Sequence, residues 1–186
     1  DADFAKMMGV ADGDVEKMRA EVEANLKREV KRRIEGRLKE QVMDALIQAN
    51  PIAVPQSLVD LEVNRLMQSA RQDMEQRGMK SKDLPLQPEW FTEQAKRRVT
   101  LGLILAEIVK TENLQASPEQ VRGMIEEMAA SYEQPEEFIR WYYTQPQRMG
   151  DVEGIVLENN VVAWALGKAK VTEKAAVFDE LMSQQQ

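Results

Sequence analysis

The side chains with which this chain could do chemistry are limited by two absences, because it contains no cysteine and no histidine. Thiol nucleophiles, disulfides, Ser-His-Asp triads, zinc fingers and the Glu-x-x-His di-iron pattern all need one of these residues. The remaining carboxylate candidates are two adjacent pairs, Glu126-Glu127 and Glu136-Glu137. Neighbouring residues on a helix point about 100° apart, so neither pair forms a catalytic dyad by itself. We therefore expect no catalytic residue, no metal and no cofactor, and we assign these carboxylates to solubility.

A second set of candidates, here called the aromatic group, lies in two short helical segments: Met128, Tyr132, Phe138, Trp141, Tyr142 and Tyr143. These segments are too short to bury so many large side chains, so part of the group is expected to contact solvent. Aromatic rings offer area and methionine adapts its shape, which suits a nonspecific apolar binding surface. The alternative is structural: the group fastens a small hairpin to its neighbour. The residues alone favour this alternative.

Basic residues crowd residues 27–39 and form a third candidate. The run contains pairs at i, i+4 spacing, which is typical of a solvated helical face: Glu23/Lys27, Glu29/Arg33 and Glu35/Lys39. We favour that interpretation over phosphate binding, and the net charge of −7 argues against nucleic acid as the main partner.

Composition is that of an ordinary soluble protein, with 43% apolar and 31% charged residues in a chain of 186. This length allows one large domain or two small ones with a real core. Because the first residue is Asp1 and no apolar signal segment follows, we expect a piece of a longer protein. An apolar lead is expected to dock on a neighbouring element: Phe4, Met7, Met8 and Val10.

Hydrophobic spacing predicts an all-α fold that begins with a long helix over residues 15–49. Every fourth residue from Met18 to Leu46 is apolar, so the stripe winds around this helix and needs different partners at its two ends. Prolines in residues 50–55 end the helix, and this short connection predicts that a second helix over residues 55–77 lies antiparallel to it. Thirty-five residues of helix would span roughly 50 Å, so we expect an elongated molecule.

A third helix is predicted within residues 90–114, almost wholly apolar between 99 and 109, and we expect every face of it to be enclosed. Its apolar run is shorter than the roughly 20 residues that a bilayer requires. Ser117-Pro118-Glu119-Gln120 is a capping box that begins a fourth helix, predicted to end near residue 133. Prolines then separate a fifth helix at 136–144 from a sixth at 147–168, and a last amphipathic turn or two follows Thr172.

These elements predict a single domain over residues 1–186, an elongated multi-helix body with protruding helical-hairpin arms. Its expected parts are a long helical hairpin and core at about 1–116, an arm hairpin at 117–146, and a return helix with a C-terminal tail at 147–186.

Three segments together resemble the C-terminal domain of bacterial trigger factor: EQAKRRVTLGLILAEIVKTENL at 93–114, EEMAASYEQPEEFIRWYY at 126–143 and KAKVTEKAAVFDELMSQQQ at 168–186. The likeness runs over essentially the whole chain in order. The resemblance implies a cytoplasmic, ribosome-associated and ATP-independent chaperone for nascent chains, with helical arms around an apolar crevice. Nothing in this chain resembles the family's ribosome-docking or peptidyl-prolyl isomerase domains. The resemblance therefore implies no enzyme activity and a ribosome contact only through a missing domain.

The resemblance also implies which residues contact the polypeptide. Met128 and Tyr132 are the family's own residue types at the arm tip, whereas Phe138 and Trp141 differ in type but remain large and apolar. With Tyr142 they would line the crevice, so the resemblance moves the aromatic group toward a functional role. From the second and third helices we expect four further lining residues: Leu66, Met67, Met74 and Trp90.

The leading hypothesis is that the chain binds exposed apolar segments of unfolded or nascent polypeptides without nucleotide. We expect no membrane or direct nucleic-acid binding, and weak self-association over the apolar surface remains open. One alternative is a helical scaffold that docks a folded partner. Another is the core of a periplasmic chaperone for outer-membrane proteins, against which the AKVTEK segment at 169–174 weighs.

Overall fold

The computed structural model describes residues 13–78, 86–130, 132 and 134–183. These residues form seven α-helices and no strand, which confirms the all-α prediction. In chain order the helices are α1 Val15–Ala49, α2 Gln56–Gln76, α3 Glu89–Thr111, α4 Pro118–Ala129, α5 Pro135–Tyr143, α6 Pro146–Lys168 and α7 Phe178–Ser183. The predicted apolar lead, residues 4–10, lies outside the described residues. The chain divides into two compact units, residues 1–41 with 170–186 and residues 42–169.

Helix α1 has the predicted bounds because a cap begins it and prolines follow it. The Asp14 Oδ1 oxygen accepts hydrogen bonds from the backbone N–H groups of Glu16 (2.9 Å) and Lys17 (3.2 Å). This satisfies donors that the first turn would otherwise leave unpaired. Within the first unit the apolar residues Leu26 and Ile34 stay exposed.

The basic run on α1 has two roles in the structure. Lys27 pairs with Glu23 at 2.6 Å and Lys31 with Glu35 at 3.7 Å, as a solvated helical face would. Arg33 donates to the backbone oxygens of Leu181 (3.2 Å) and Met182 (3.3 Å), although it also pairs with Glu29 as predicted. Arginine therefore satisfies carbonyls at the end of α7, a role that the spacing did not predict.

In the second unit, α2 packs along α3. Buried Val59, Val63 and Leu66 of α2 meet Ala95 of α3 in one apolar cluster. The short connection after α1 predicted α1 as the partner of α2, but the helix that lies along it is α3. An ion pair between Arg98 and Glu62 (3.1 Å) joins the two helices at their edge.

The expectation that α3 is enclosed on every face is wrong. Its buried residues are Ala95, Thr100 and Ile104, while Leu103 is 39% exposed. Helix α3 packs on α2 and α6, and two neighbours leave part of its circumference to solvent. The sequence shows how many apolar residues a helix has, but not how many neighbours cover it.

Helices α4, α5 and α6 form the second cluster of this unit around Val121, Ile125, Tyr142, Val152 and Val156. The predicted capping box is present, with the backbone N–H of Gln120 donating to Ser117 Oγ (3.2 Å) and that of Ser117 donating to Gln120 Oε1 (3.0 Å). Proline stands at the start of α5 and of α6, as predicted. Because proline ends each preceding segment, α4, α5 and α6 can change direction and pack around one core.

Candidate functional site

The rings of the aromatic group meet around Phe138. The Phe138 ring stacks on Tyr132 with centroids 4.2 Å apart, and its centroid lies 6.0 Å from that of Trp141 and 5.4 Å from that of Tyr142. Trp141 also meets Tyr142 edge to face at 6.0 Å. The break at Pro135 therefore brings residues from both sides into one contiguous aromatic cluster.

Burial divides this cluster into a supported and an accessible part. Tyr142 is 6% exposed and belongs to the core, whereas Tyr132 is 55% and Trp141 44% exposed. Met128 and Phe138 lie between them, partly buried against the same core. We call Met128, Tyr132, Phe138 and Trp141 the aromatic surface. Its side chains expose apolar area to solvent and pack against the core, in which Tyr142 is buried.

A cation lies at the edge of the aromatic surface. The Arg148 guanidinium, from the first turn of α6, sits 4.5 Å from the centroid of the Trp141 ring. Such a stack is worth about 0.5–1 kcal/mol at an exposed site. Arg148 was not identified from the sequence, because its approach to Trp141 depends on the turn at Pro146.

One carboxylate of each acidic pair beside the surface forms an ion pair along its own helix. Glu126 pairs with Arg122 at 2.8 Å and Glu136 with Arg140 at 3.8 Å, each one helical turn away. The hydrogen bond to Glu126, followed by its charge, raises the pKa of Arg122 above its ordinary value. Within the described residues no group of three or more acidic side chains is placed to hold a metal ion.

The four lining residues expected from α2 and α3 include none of those that form the α4–α6 cluster. Leu66 is buried in the α2–α3 cluster, and Met67 packs against that cluster. Met74 is half-buried near the end of α2, while Trp90 is 62% exposed at the start of α3. Of these four predicted residues, Trp90 offers the largest exposed area.

A second apolar patch on α2 and α3 was not predicted. A groove of about 350 Å³ lies between the two helices, and exposed Leu58, Leu61 and Leu103 line it. The sequence held one signal for it: Leu58 and Leu61 are apolar yet lie off the stripe of Val59, Val63 and Leu66. Apolar residues outside a buried stripe point to a further contact surface.

No helix among the described residues is both long enough and apolar enough to span a membrane.

Comparison with known proteins gives a consistent set of relatives. The sequence model of the family described as "Bacterial trigger factor protein (TF) C-terminus" matches residues 14–167. The chain is 77% identical over 186 residues to a trigger factor of Dechloromonas aromatica (strain RCB), covering all of this chain and 43% of that protein. It is 59% identical over 182 residues to a trigger factor of Aromatoleum aromaticum and 58% identical over 182 residues to one of Herminiimonas arsenicoxydans. These two matches cover 98% of this chain and 42% and 41% of those proteins. The chain thus spans less than half the length of these curated relatives.

Proposed function

This chain belongs to the trigger factor family and matches its C-terminal part, and from that premise we propose that it is an ATP-independent chaperone domain. It binds exposed apolar segments of unfolded or nascent polypeptides, prevents their aggregation and assists their folding. The observation that carries this proposal is the aromatic surface, in which exposed Tyr132 and Trp141 rest on a buried core.

Binding of this kind needs no nucleotide because the free energy comes from apolar surface removed from water, at about 25 cal/mol per Å². The area available at Tyr132 and Trp141 is modest, so a single contact is weak and reverses quickly. The α2–α3 groove adds a second apolar patch in the same compact unit. A polypeptide that contacts both patches binds more tightly than one that contacts a single patch, while each single contact still dissociates readily.

The proposed setting is the cytoplasm, with ribosome contact made by parts of the relatives that this chain does not match. No catalytic residue, cofactor, membrane contact or nucleic-acid contact enters the proposal. The scaffold and periplasmic-chaperone alternatives are not favoured, since the relatives named above are all called trigger factors.

The test uses variants of the two exposed rings, Tyr132→Ser and Trp141→Ser, together in one chain. The probe is a reduced and carboxymethylated polypeptide that cannot fold, added without nucleotide. We expect roughly tenfold weaker binding than in the unaltered chain, since a ring truncation in such a surface removes about 1–3 kcal/mol or less. The control is Ile52→Ser, another exposed apolar residue of the same unit outside the aromatic surface.

Methyl NMR of the 11 methionines gives the position of binding. Shifts at Met128 that vanish in the double variant, with unaltered circular dichroism, would support the proposal. Equal affinity of the unaltered chain, the double variant and the control for the unfolded probe would show that the aromatic surface is not the binding site. A chain that ignores the unfolded probe but binds one folded protein at fixed stoichiometry would instead support the scaffold alternative.

A further inference from the structure

Residues 112–117 connect α3 to α4, and we call this connection the joint. Within the described residues, the cluster of α2 and α3 shares no member with the cluster of α4, α5 and α6. Among the described helices of residues 42–169, α3 and α6 are the one pair whose packing links the two clusters. Helices of the first cluster carry the α2–α3 groove, and the aromatic surface belongs to the second. Contacts at the joint therefore govern how the two patches are presented together.

Asn160 of α6 binds the joint through its side-chain amide. Its Nδ2 group donates to the backbone oxygens of Leu114 (3.3 Å) and Gln115 (3.4 Å). Its Oδ1 oxygen accepts a hydrogen bond from Gln120 Nε2 (2.8 Å), and its Nδ2 group also donates to Gln120 Oε1 (3.2 Å). One half-buried amide thus contacts both the joint and the first turn of α4.

The two ends of the joint are fixed locally, so the amide of α6 acts on a defined backbone. Asn113 has φ 55°, a left-handed conformation that asparagine tolerates, and the Leu114 N–H donates to the Val109 oxygen (3.1 Å), which ends α3. At the other end Ser117 caps α4, and its N–H donates to Gln120 Oε1, the oxygen that the α6 amide also contacts. A short segment with two capped ends keeps few conformations, and the bonds from α6 restrict these further.

A second contact lies one helical turn further along α6. The Trp164 indole N–H donates to Glu112 Oε2 (2.8 Å), and Lys168, one turn beyond, donates to the same oxygen (3.3 Å). The Lys168 ammonium also lies 4.7 Å from the centroid of the Trp164 ring. Asn160, Trp164 and Lys168 are spaced four apart, so they share one face of α6. This face therefore binds residues 112–120 by hydrogen bonds from three positions.

Hydrogen bonds are suited to fixing an angle between helices. Burial of apolar surface is non-directional, whereas an N–H···O bond weakens steeply as it bends. A rotation of α4 about the joint would bend the bonds from Asn160 to Leu114 and Gln115 together. Each apolar cluster could move as a whole during that rotation, because the two clusters have no residue in common.

We propose that Asn160 is a positioning residue: it sets the angle between α3 and α4, and with it the placement of the α2–α3 groove relative to the aromatic surface. This inference rests on the proposed function, in which one polypeptide contacts both patches. Two sites held at a fixed separation favour a polypeptide whose apolar segments have the matching spacing, because the second contact then forms at a high effective concentration. Asn160 contacts no client itself and acts through the spacing of the two patches.

Distances between two spin labels test the joint without any client. The chain has no cysteine, so Ser69→Cys on α2 and Glu127→Cys on α4, both at exposed positions, give two unique label sites. Asn160→Asp keeps the size of the side chain but places a carboxylate, which cannot donate, against the oxygens of Leu114 and Gln115. We expect a broader distance distribution in this variant than in the unaltered chain, and again in Asn160→Ala.

The matched control is Asn159→Asp, which adds the same charge at the neighbouring, exposed position and should leave the distribution unchanged. Circular dichroism checks that each variant keeps its helices, and Asn160→Ala, which adds no charge, carries the test if Asn160→Asp unfolds. Equal distributions in the unaltered chain and in the folded Asn160 variants would overturn the proposal. Equal broadening by Asn159→Asp would overturn it too, because the amide contacts would then not be the cause.

Peptides with one or two apolar segments test the role in binding. The probes are a peptide with one short Leu- and Phe-rich segment and a series with two copies joined by Gly-Ser spacers of about 5 to about 30 residues. We expect the unaltered chain to bind one spacer length best. In Asn160→Asp the affinity for that peptide should fall roughly fivefold and the preference for spacer length should flatten, while the affinity for the one-segment peptide stays the same.

The outcomes separate this inference from the proposed function. Broader label distances with an unchanged spacer preference would show that Asn160 shapes the joint without positioning the patches, and the proposal would be wrong. An equal loss of affinity for one-segment and two-segment peptides would also contradict it, since the residue would then act on a single patch. If the unaltered chain binds neither kind of peptide, the proposed function fails and the positioning role with it, whereas the label distances still show whether Asn160 fixes the joint.

Discussion

The rings of Tyr132 and Phe138 stack with their centroids 4.2 Å apart and their planes 24° from parallel, across the break between α4 and α5. Tyr132 lies outside both helices, whereas Phe138 packs against the core of α4, α5 and α6. The stack therefore holds an exposed ring on a supported one. Under the proposed function, a ring fixed in this way would lose less conformational freedom on binding a client.

The stack should be measurable as a coupling between the two residues. In a double-mutant cycle over Tyr132→Ala and Phe138→Leu, we expect a coupling free energy of about 0.5–1.5 kcal/mol, because stacked rings gain this beyond their buried area. Urea denaturation of the four proteins gives the value. Strictly additive changes in the free energy of unfolding would mean that the stack does not stabilise the domain.

Two adjacent tyrosines should respond very differently to truncation. Tyr142 is 6% exposed inside the α4–α6 cluster and Tyr143 is 48% exposed. We expect Tyr142→Ala to lower the free energy of unfolding by about 3 kcal/mol or more, as large buried rings do. Tyr143→Ala should change it by less than about 0.5 kcal/mol. Thermal unfolding compares them, and similar losses would show that Tyr142 does not anchor the aromatic surface.

The capping box should contribute to the stability of α4. Ser117→Ala removes the acceptor for the Gln120 N–H, and we expect a loss of about 1 kcal/mol in the free energy of unfolding. Ser117→Asp, which keeps an acceptor at that position, should retain most of the stability. Ser57→Ala, at an exposed position in the first turn of α2, serves as the control. An Asp variant as unstable as the Ala variant would exclude capping as the cause.

The ionisation of Glu112 should depend on Trp164. The indole N–H donates to Glu112 Oε2 at 2.8 Å, and the Lys168 ammonium donates to the same oxygen at 3.3 Å. The indole hydrogen bond first, and that from Lys168 second, hold the pKa of Glu112 below its ordinary value. In Trp164→Phe we expect this pKa to rise toward the ordinary value, as followed by NMR titration of the carboxyl carbon.

The sign of the linked stability effect follows from that lowered pKa. The contribution of Glu112 to folding is present above the pKa of the unfolded chain and is lost as the pH falls through the pKa of the folded chain. The unaltered chain and Trp164→Phe should therefore converge in stability in acid. Lys168→Met removes a hydrogen bond and a positive charge together, so it too is expected to raise the pKa of Glu112. An unchanged pKa of Glu112 in either variant would contradict the assigned causes.

Helix starts were predictable because the chain marks them chemically, whereas α4 ends at Ala129 and not near residue 133 as predicted. The cap at Asp14, the box at Ser117 and the prolines at 135 and 146 each satisfy or forbid a particular backbone hydrogen bond. Packing partners were less predictable, as α3 and the pairing of α2 illustrate. The number of neighbours around a helix depends on distant segments, whereas caps and prolines act within one turn.

The sequence predicted which residues form the aromatic group, but not which of them are buried and which are exposed. Tyr142 and Tyr143 are identical in type and adjacent, and only the rotation of about 100° between them makes one a core residue and the other exposed. The stack of Arg148 on Trp141 depends on the angle between α5 and α6, which the sequence does not give. Leu66 was expected to line the crevice, yet it lies buried in the cluster of Val59 and Val63.

The helix pairing in residues 42–169 has a consequence for how fast this unit acquires its structure. Helix α2 packs on α3, and α4, α5 and α6 pack on one another, so most pairs are neighbours along the chain. The pair formed by α3 and α6 is the one that joins more distant segments. Domains dominated by local pairings close short loops early and reach the native state in microseconds to milliseconds. We therefore expect the unit that bears the aromatic surface to be a fast folder, with the docking of α6 onto α3 as its late step.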